Sequence, residues 1–152
     1  QHMSTPLVFT ARSPRLALPY LFAAQSQKEA TVNEGLALID ALISPAVEEI
    51  AASPPASPSE GQCWIIGANP QGSWEGRGDD IAVFTAGTWL FVTPRAGMSV
   101  FDKAAAVTRR WDGGWMAPDA PASPTGGTVI DVEARAAIDT LIAVLRNARI
   151  TV

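Results

Sequence analysis

Proline divides this chain more firmly than any other residue type. Residues 51–61 hold Pro54, Pro55 and Pro58, and residues 117–128 hold Pro118, Pro121 and Pro124. Each stretch predicts a stiff, extended connection, because proline fixes φ and donates no backbone hydrogen bond. Three segments remain, one on either side of these connections and one between them. The whole is 152 residues long, the size of one ordinary domain with a core of its own.

The first segment predicts a helix over 25–43, a run of good helix formers free of proline. Val32, Leu36, Ile39 and Ile43 recur at spacings of four, three and four, one apolar stripe, and Leu38 and Leu42 widen it. Ser44-Pro45 either kinks this helix or opens a short second one. Residues 13–20 hold Pro14 and Pro19 and read as extended.

Short strands fill the middle segment. Cys63-Trp64-Ile65-Ile66 is one, and 81–85 and 88–92 form the arms of a hairpin around Ala86-Gly87. Residues 98–101 give a fourth strand, and 107–111 and 115–116 flank the tight turn Asp112-Gly113-Gly114. The last segment predicts a helix from a cap at Asp131 to about Arg149, with Glu133 in its first turn. Ala134, Ile138, Leu141, Leu145 and Ala148 follow an a/d register, and Ile142 flanks it.

These patterns predict an α+β chain. An N-terminal helix, a small antiparallel β-domain of hairpins and a C-terminal helix in heptad register follow one another. The expected boundaries are 1–12 (a tag remnant and flexible N-terminus), 13–50, the linker 51–61, the β-domain 62–117, the linker 118–130 and the helix 131–150. Matching stripes on two helices, each set off by a stiff connection, predict self-association. The expected form is a trimeric bundle with the β-domains outward, and Val32, Leu36, Ile39, Ile43, Ala134, Ile138, Leu141 and Leu145 are its candidate interface. Apolar residues make up 47 % of the chain and charged residues 17 %, which excludes a disordered chain and favours a surface covered by a partner.

The inventory also bounds the chemistry. The one histidine, His2, sits in Gln1-His2-Met3, which reads as a tag remnant. Without it the chain has no Ser-His-Asp triad, no Cys-His pair and no histidine-ligated metal. One cysteine makes no internal disulfide. A net charge of −4 does not suit a polyanion, so no nucleic-acid partner is expected. No membrane span or signal-peptide pattern is expected either. Glu75, Asp79, Asp80, Asp102 and Asp112 lie near turns, but no spacing among them selects a glycosidase pair. Residues 72–80 are glycine-rich yet lack the lysine of a phosphate loop, and Asp79-Asp80 alone is too few ligands for calcium. No enzyme, cofactor or metal is expected.

All five tryptophans fall in the middle segment. Trp64 and Trp89 are expected in its core. Trp74, Trp89, Trp111 and Trp115 lie in or beside turns and are candidates for stacking on sugar rings; core packing is the competing role for each.

Several motifs together resemble a known family. They are Leu18-Pro19, Gln25-Ser26-Gln27-Lys28-Glu29, Asn33-Glu34, Asp40-Ala41-Leu42, the run from Pro54 to Gly61, Gly72-Ser73-Trp74-Glu75-Gly76, Gly87-Thr88-Trp89, Thr93-Pro94-Arg95-Ala96-Gly97 and Trp111-Asp112-Gly113-Gly114-Trp115. They resemble a domain-of-unknown-function family of structural proteins from tailed phages, prophages and gene transfer agents of alphaproteobacteria. The resemblance covers about residues 13–117. It implies a virion component assembled in the bacterial cytoplasm, a tail fibre or head spike that meets other virion proteins. It also implies adhesion to host capsular polysaccharide or lipopolysaccharide. An alternative reading is a carbohydrate-binding module. The sequence departs from the family pattern at Ser44-Pro45, Cys63 and Met98.

Overall fold

The computed structural model describes residues 12–15, 18, 20–21, 28–128 and 130–151. Helix α1 spans Lys28–Leu42. The start expected at Gln25 lies outside the described residues. The helix stops where it must, because Ser44 precedes Pro45 and is pushed out of helical φ/ψ. No short helix opens at Pro45, and the chain passes directly into a strand at Ala46. The Arg15 guanidinium donates to the carbonyls of Ala41 (2.8 Å) and Ser44 (2.6 Å), so a cation occupies the negative end of α1.

After Pro45 the chain lends two short strands, β1 (Ala46–Val47) and β2 (Ile50–Ala51), to two different sheets. The middle segment supplies β3 (Cys63–Ile66), β4 (Ile81–Thr85), β5 (Thr88–Val92), β6 (Ser99–Asp102), β7 (Val107–Trp111) and β8 (Trp115–Met116). One sheet has the order β1-β6-β7-β8 and the other β2-β3-β4-β5. The β1–β6 and β2–β3 pairs are parallel, whereas the hairpin pairs are antiparallel. The expected purely antiparallel domain is therefore corrected to two mixed sheets. The sequence of β1 and β2 is too short to carry a strand pattern.

These strands also bind the first connection to the body. The Gly67 amide donates to Ala51 O and the Gln71 amide to Ala52 O, both at 2.8 Å. Residues 51–61 thus run along the sheets, and do not hold the helix away from them. The Glu60 carboxylate accepts from the amides of Ala86 (2.7 Å) and Gly87 (2.8 Å) and clamps the β4–β5 turn. Ala86 and Gly87 have φ of 52° and 71°, the twist that a two-residue hairpin needs.

Strand β3 is buried on both faces, which explains its unbroken apolar run. On one side Cys63 and Ile65 join Ile81, Val83, Val47, Val100 and Ala41 of α1. On the other, Trp64, Ile66 and Ala82 are covered by Trp74, delivered by a 3-10 turn at Gly72–Trp74.

Helix α2 spans Val132–Asn147, and the Asp131 carboxylate caps it by accepting from the Ala134 amide at 2.8 Å. Arg135 donates to the carbonyls of Pro124 and Gly126, tying the second connection to the helix. At the far end the Thr108 amide of β7 donates to Arg149 O at 3.3 Å. Between these ends Ile142 alone in the helix is buried, at 5 % exposure. The buried residue is Ile142, expected to flank the a/d register, while Ala134, Ile138, Leu141 and Ala148 of that register are exposed. Leu141, about 100° further round, is 61 % exposed.

Candidate functional site

Two kinds of surface stand out, the open helix faces and the tryptophans. Helix α1 is set on the body by an unexpected side. Over residues 30–42 its buried residues are Asn33, Ala37, Asp40 and Ala41. The polar pair serves the N-terminal segment. Asn33 Oδ1 accepts from the Leu21 amide (2.8 Å) while Asn33 Nδ2 donates to Leu21 O (2.9 Å). Asp40 Oδ2 accepts from the Arg15 amide at 2.9 Å. Buried polar groups are tolerated when bonded in this way. Tyr20 of the same segment is buried beside Thr85, and its phenol is pushed up by burial, partly offset by a hydrogen bond with that threonine.

The apolar stripe of α1 consequently points away from the body. Val32, Ile39 and Ile43 are exposed, Ile43 by 65 %, and Leu36 is half-buried. On α2, Val132, Ile138, Leu141 and Val144 are exposed, as are Ala134, Ala137 and Ala148, while Leu145 is half-buried. A small chain rarely leaves this much aliphatic surface open without a use for it.

The tryptophans divide into two groups. Trp64, Trp74 and Trp89 form one cluster with Phe84, with ring centroids 5.0–6.4 Å apart and mostly edge-to-face. Trp74 has no exposed surface, so its assignment as a sugar-stacking ring is corrected: it is core. The turn position hid this, because the 3-10 turn folds its ring inward over β3. Trp89 is half-buried and spends its edge and face on neighbouring rings. Trp111 and Trp115 form a separate pair, 5.4 Å apart at 61°, both half-buried. Trp115 Nε1 donates to Asp79 O at 2.8 Å, which fixes that ring across the two sheets.

The carboxylates are dispersed. Asp102 is buried and accepts from Arg109 Nε (2.7 Å) and the Ala105 amide (3.0 Å), holding the β6–β7 turn. Asp80 is buried within 3.7 Å of Arg77 Nη1, and the Arg77 guanidinium also lies over the Phe91 ring. Glu75, Asp79 and Asp112 are exposed. Among the described residues no three His, Cys, Asp or Glu side chains group as metal ligands. Burial pushes the Cys63 thiol up to about 11, far from the thiolate a nucleophile needs. No helix among the described residues is long and apolar enough to cross a membrane.

Sequence reasoning found the stripes and missed what turns them outward. The available signal was Asn33 and Asp40, seven residues apart and roughly a quarter turn round α1 from the stripe, each a poor residue for a helix interior unless it has a partner. No curated protein matches the chain. The family model described as a protein of unknown function, DUF2793, matches residues 32–116, more than half of the chain, and the protein belongs to that family.

Proposed function

We propose that this protein is a structural and attachment component of a phage or gene-transfer-agent particle. In this reading it self-associates through its helices, a homotrimer being the favoured form, and displays the β-body outward toward host polysaccharide. The observation that carries self-association is the pair of open aliphatic stripes on α1 and α2. Neither stripe is the buried side of its helix, since the buried residues are Asn33, Ala37, Asp40 and Ala41 on α1 and Ile142 on α2. The placement on a virion, in a tail fibre or head spike, rests on the resemblance of the motifs described above.

Light scattering on the purified protein tests the assembly. A mass of three chains of 16.0 kDa is expected at high micromolar concentration, and a strictly monomeric mass refutes it. Gradient-purified particles test the location, with the chain expected to co-sediment with them.

The second reading is a carbohydrate-binding module. The half-buried Trp111–Trp115 pair favours it, since these rings lie outside the main aromatic cluster. Titration with host capsule or lipopolysaccharide should change tryptophan fluorescence, and Trp111→Ala should abolish that change with little loss of melting temperature. An unchanged spectrum on titration counts against it.

A further inference from the structure

We infer that the outer face of the β1-β6-β7-β8 sheet binds a linear acidic polysaccharide through Phe101 and Arg110. This rests on the polysaccharide-facing reading of the β-body given above, and places the ligand on a face distinct from the Trp111–Trp115 pair.

Strand register decides what this face carries. Ser99 pairs with Arg110, Phe101 with Thr108, and Arg110 with Met116 on its other side. Side chains alternate between the faces of a sheet, so these five share one side, and all five are exposed. Val100, Asp102 and Val107 take the opposite side and are buried. Phe101 stands directly across from Thr108 and on the diagonal from Arg110, about 7–8 Å away. An open ring, a guanidinium one diagonal step from it and hydroxyls at Ser99 and Thr108 suit one acidic sugar. Its apolar ring face packs on Phe101 and its carboxylate takes the guanidinium.

The distribution of cations points to an anion. Arg77, Lys103 and Arg109 pair with Asp80, Glu48 and Asp102, and Arg15 and Arg135 donate to backbone carbonyls. Among the described residues the guanidiniums of Arg95, Arg110 and Arg149 have no such partner. All three lie on or beside this sheet. Arg149 sits at the β7 edge, where its carbonyl accepts from the Thr108 amide, and Arg95 opens the turn into β6, where its carbonyl accepts from the Met98 amide. Of the nearby carboxylates, Glu48 is taken by Lys103, and Asp112 of the β7–β8 turn forms no ion pair with these arginines. In a chain of net charge −4 this is a local exception. The same net charge selects against duplex nucleic acid, which carries one charge per about 1.7 Å. A polyuronate spaces its charges more widely, one to a sugar, and offers a ring face with each.

Calorimetric titration of the full chain at low salt tests this with oligomers of polygalacturonate, alginate and fully methyl-esterified polygalacturonate, and with polyglutamate and a short DNA duplex. Both polyuronates should bind, more weakly as salt rises, and the ester should bind at least about tenfold more weakly. Arg110→Gln and Phe101→Ala should each weaken polyuronate binding about tenfold with an unchanged circular dichroism spectrum, since both side chains are exposed. Ser99→Glu sets a carboxylate opposite Arg110 and should do the same, a second variant should either of the first two lose its fold. Trp111→Ala should bind polyuronate as wild type does. Failure of both polyuronates to bind, equal binding of the ester, or an Arg110→Gln variant as tight as wild type overturns the assignment. Tighter binding of polyglutamate or DNA overturns the choice of a sugar ligand. Loss in Trp111→Ala alone returns the ligand to the tryptophan pair. Host capsule that binds wild type and Arg110→Gln alike overturns this face and leaves attachment standing.

Discussion

Replacing Trp74 by alanine separates packing from recognition in the β-body. The ring has no exposed surface and lies 5.1 Å from Trp89 and 6.4 Å from Trp64. Truncating a buried tryptophan to alanine costs about 3–5 kcal/mol. One feature of the site offsets part of this. The Trp74 indole N–H is buried without a hydrogen-bond partner among the described residues, an arrangement that costs the native state roughly 1–3 kcal/mol. The alanine variant therefore belongs at the lower end, about 3 kcal/mol. Trp74→Phe keeps most of the ring and removes the unpaired N–H, so it should lose about 1 kcal/mol or less. At this chain length each kcal/mol moves the melting temperature by about 2–4 °C. Melting followed by far-ultraviolet circular dichroism should place Trp74→Ala about 10 °C below wild type and Trp74→Phe within about 4 °C. An alanine variant that melts with the wild type refutes the core assignment. A phenylalanine variant as unstable as alanine refutes the role given to the unpaired N–H.

Asp102→Ala leaves Arg109 without its carboxylate; breaking a buried pair costs about 3–5 kcal/mol, and with the Arg109 side chain 20 % exposed the urea midpoint should report the lower figure. Ala86→Asn should stabilise the β4–β5 hairpin by about 0.5–1 kcal/mol, because asparagine accepts the positive φ of 52° more readily than alanine; an unchanged or lower midpoint contradicts this. Burial raises the Cys63 thiol from its ordinary 9.0 to about 11. The stability this contributes is complete below pH 9 and lost as pH rises toward 11, so melting temperature should fall over that window in wild type and less in Cys63→Val. Hydrogen exchange should be faster in α2 than in β3 and β4 at low micromolar protein and slow at high concentration, because a 16-residue helix with one buried residue is marginal alone. Protection that ignores concentration contradicts the proposed covering of its face.

Much of the architecture was legible because local signals were strong. Asp131 followed by Glu133 marked the start of α2, and its carboxylate does cap the helix. Ala86-Gly87 and Asp112-Gly113-Gly114 marked two hairpins, and the β4–β5 and β7–β8 pairs are there. Strands β1 and β2 were not legible, since two residues cannot show a period and parallel pairing depends on partners far along the chain, Phe101 and Ile65. The stripe of α1 was legible as a pattern, but its direction was not. Periodicity says which residues share a face; which face is buried depends on Leu21 and Arg15 meeting Asn33 and Asp40. Trp74 failed for a related reason, as a turn signal describes the backbone and not where the ring goes.

The orientation of α1 follows from competition for a limited core. The space beneath its C-terminal end is filled by Val47, Cys63, Ile65, Ile81, Val83 and Val100, which Ala41 joins while Leu42 packs alongside. Rotating the helix to bury Val32, Leu36, Ile39 and Ile43 would overfill that space. It would also strip Asn33 and Asp40 of their backbone partners and expose Arg15's hold on the helix end. Overpacking and unpaired buried polar groups each cost on the order of 1–3 kcal/mol, which outweighs the gain from covering a stripe that the present arrangement leaves only partly exposed. The outward stripe is thus the stable solution for the single chain. It lies within residues 32–116, the part matched by the family, whereas α2 lies beyond it.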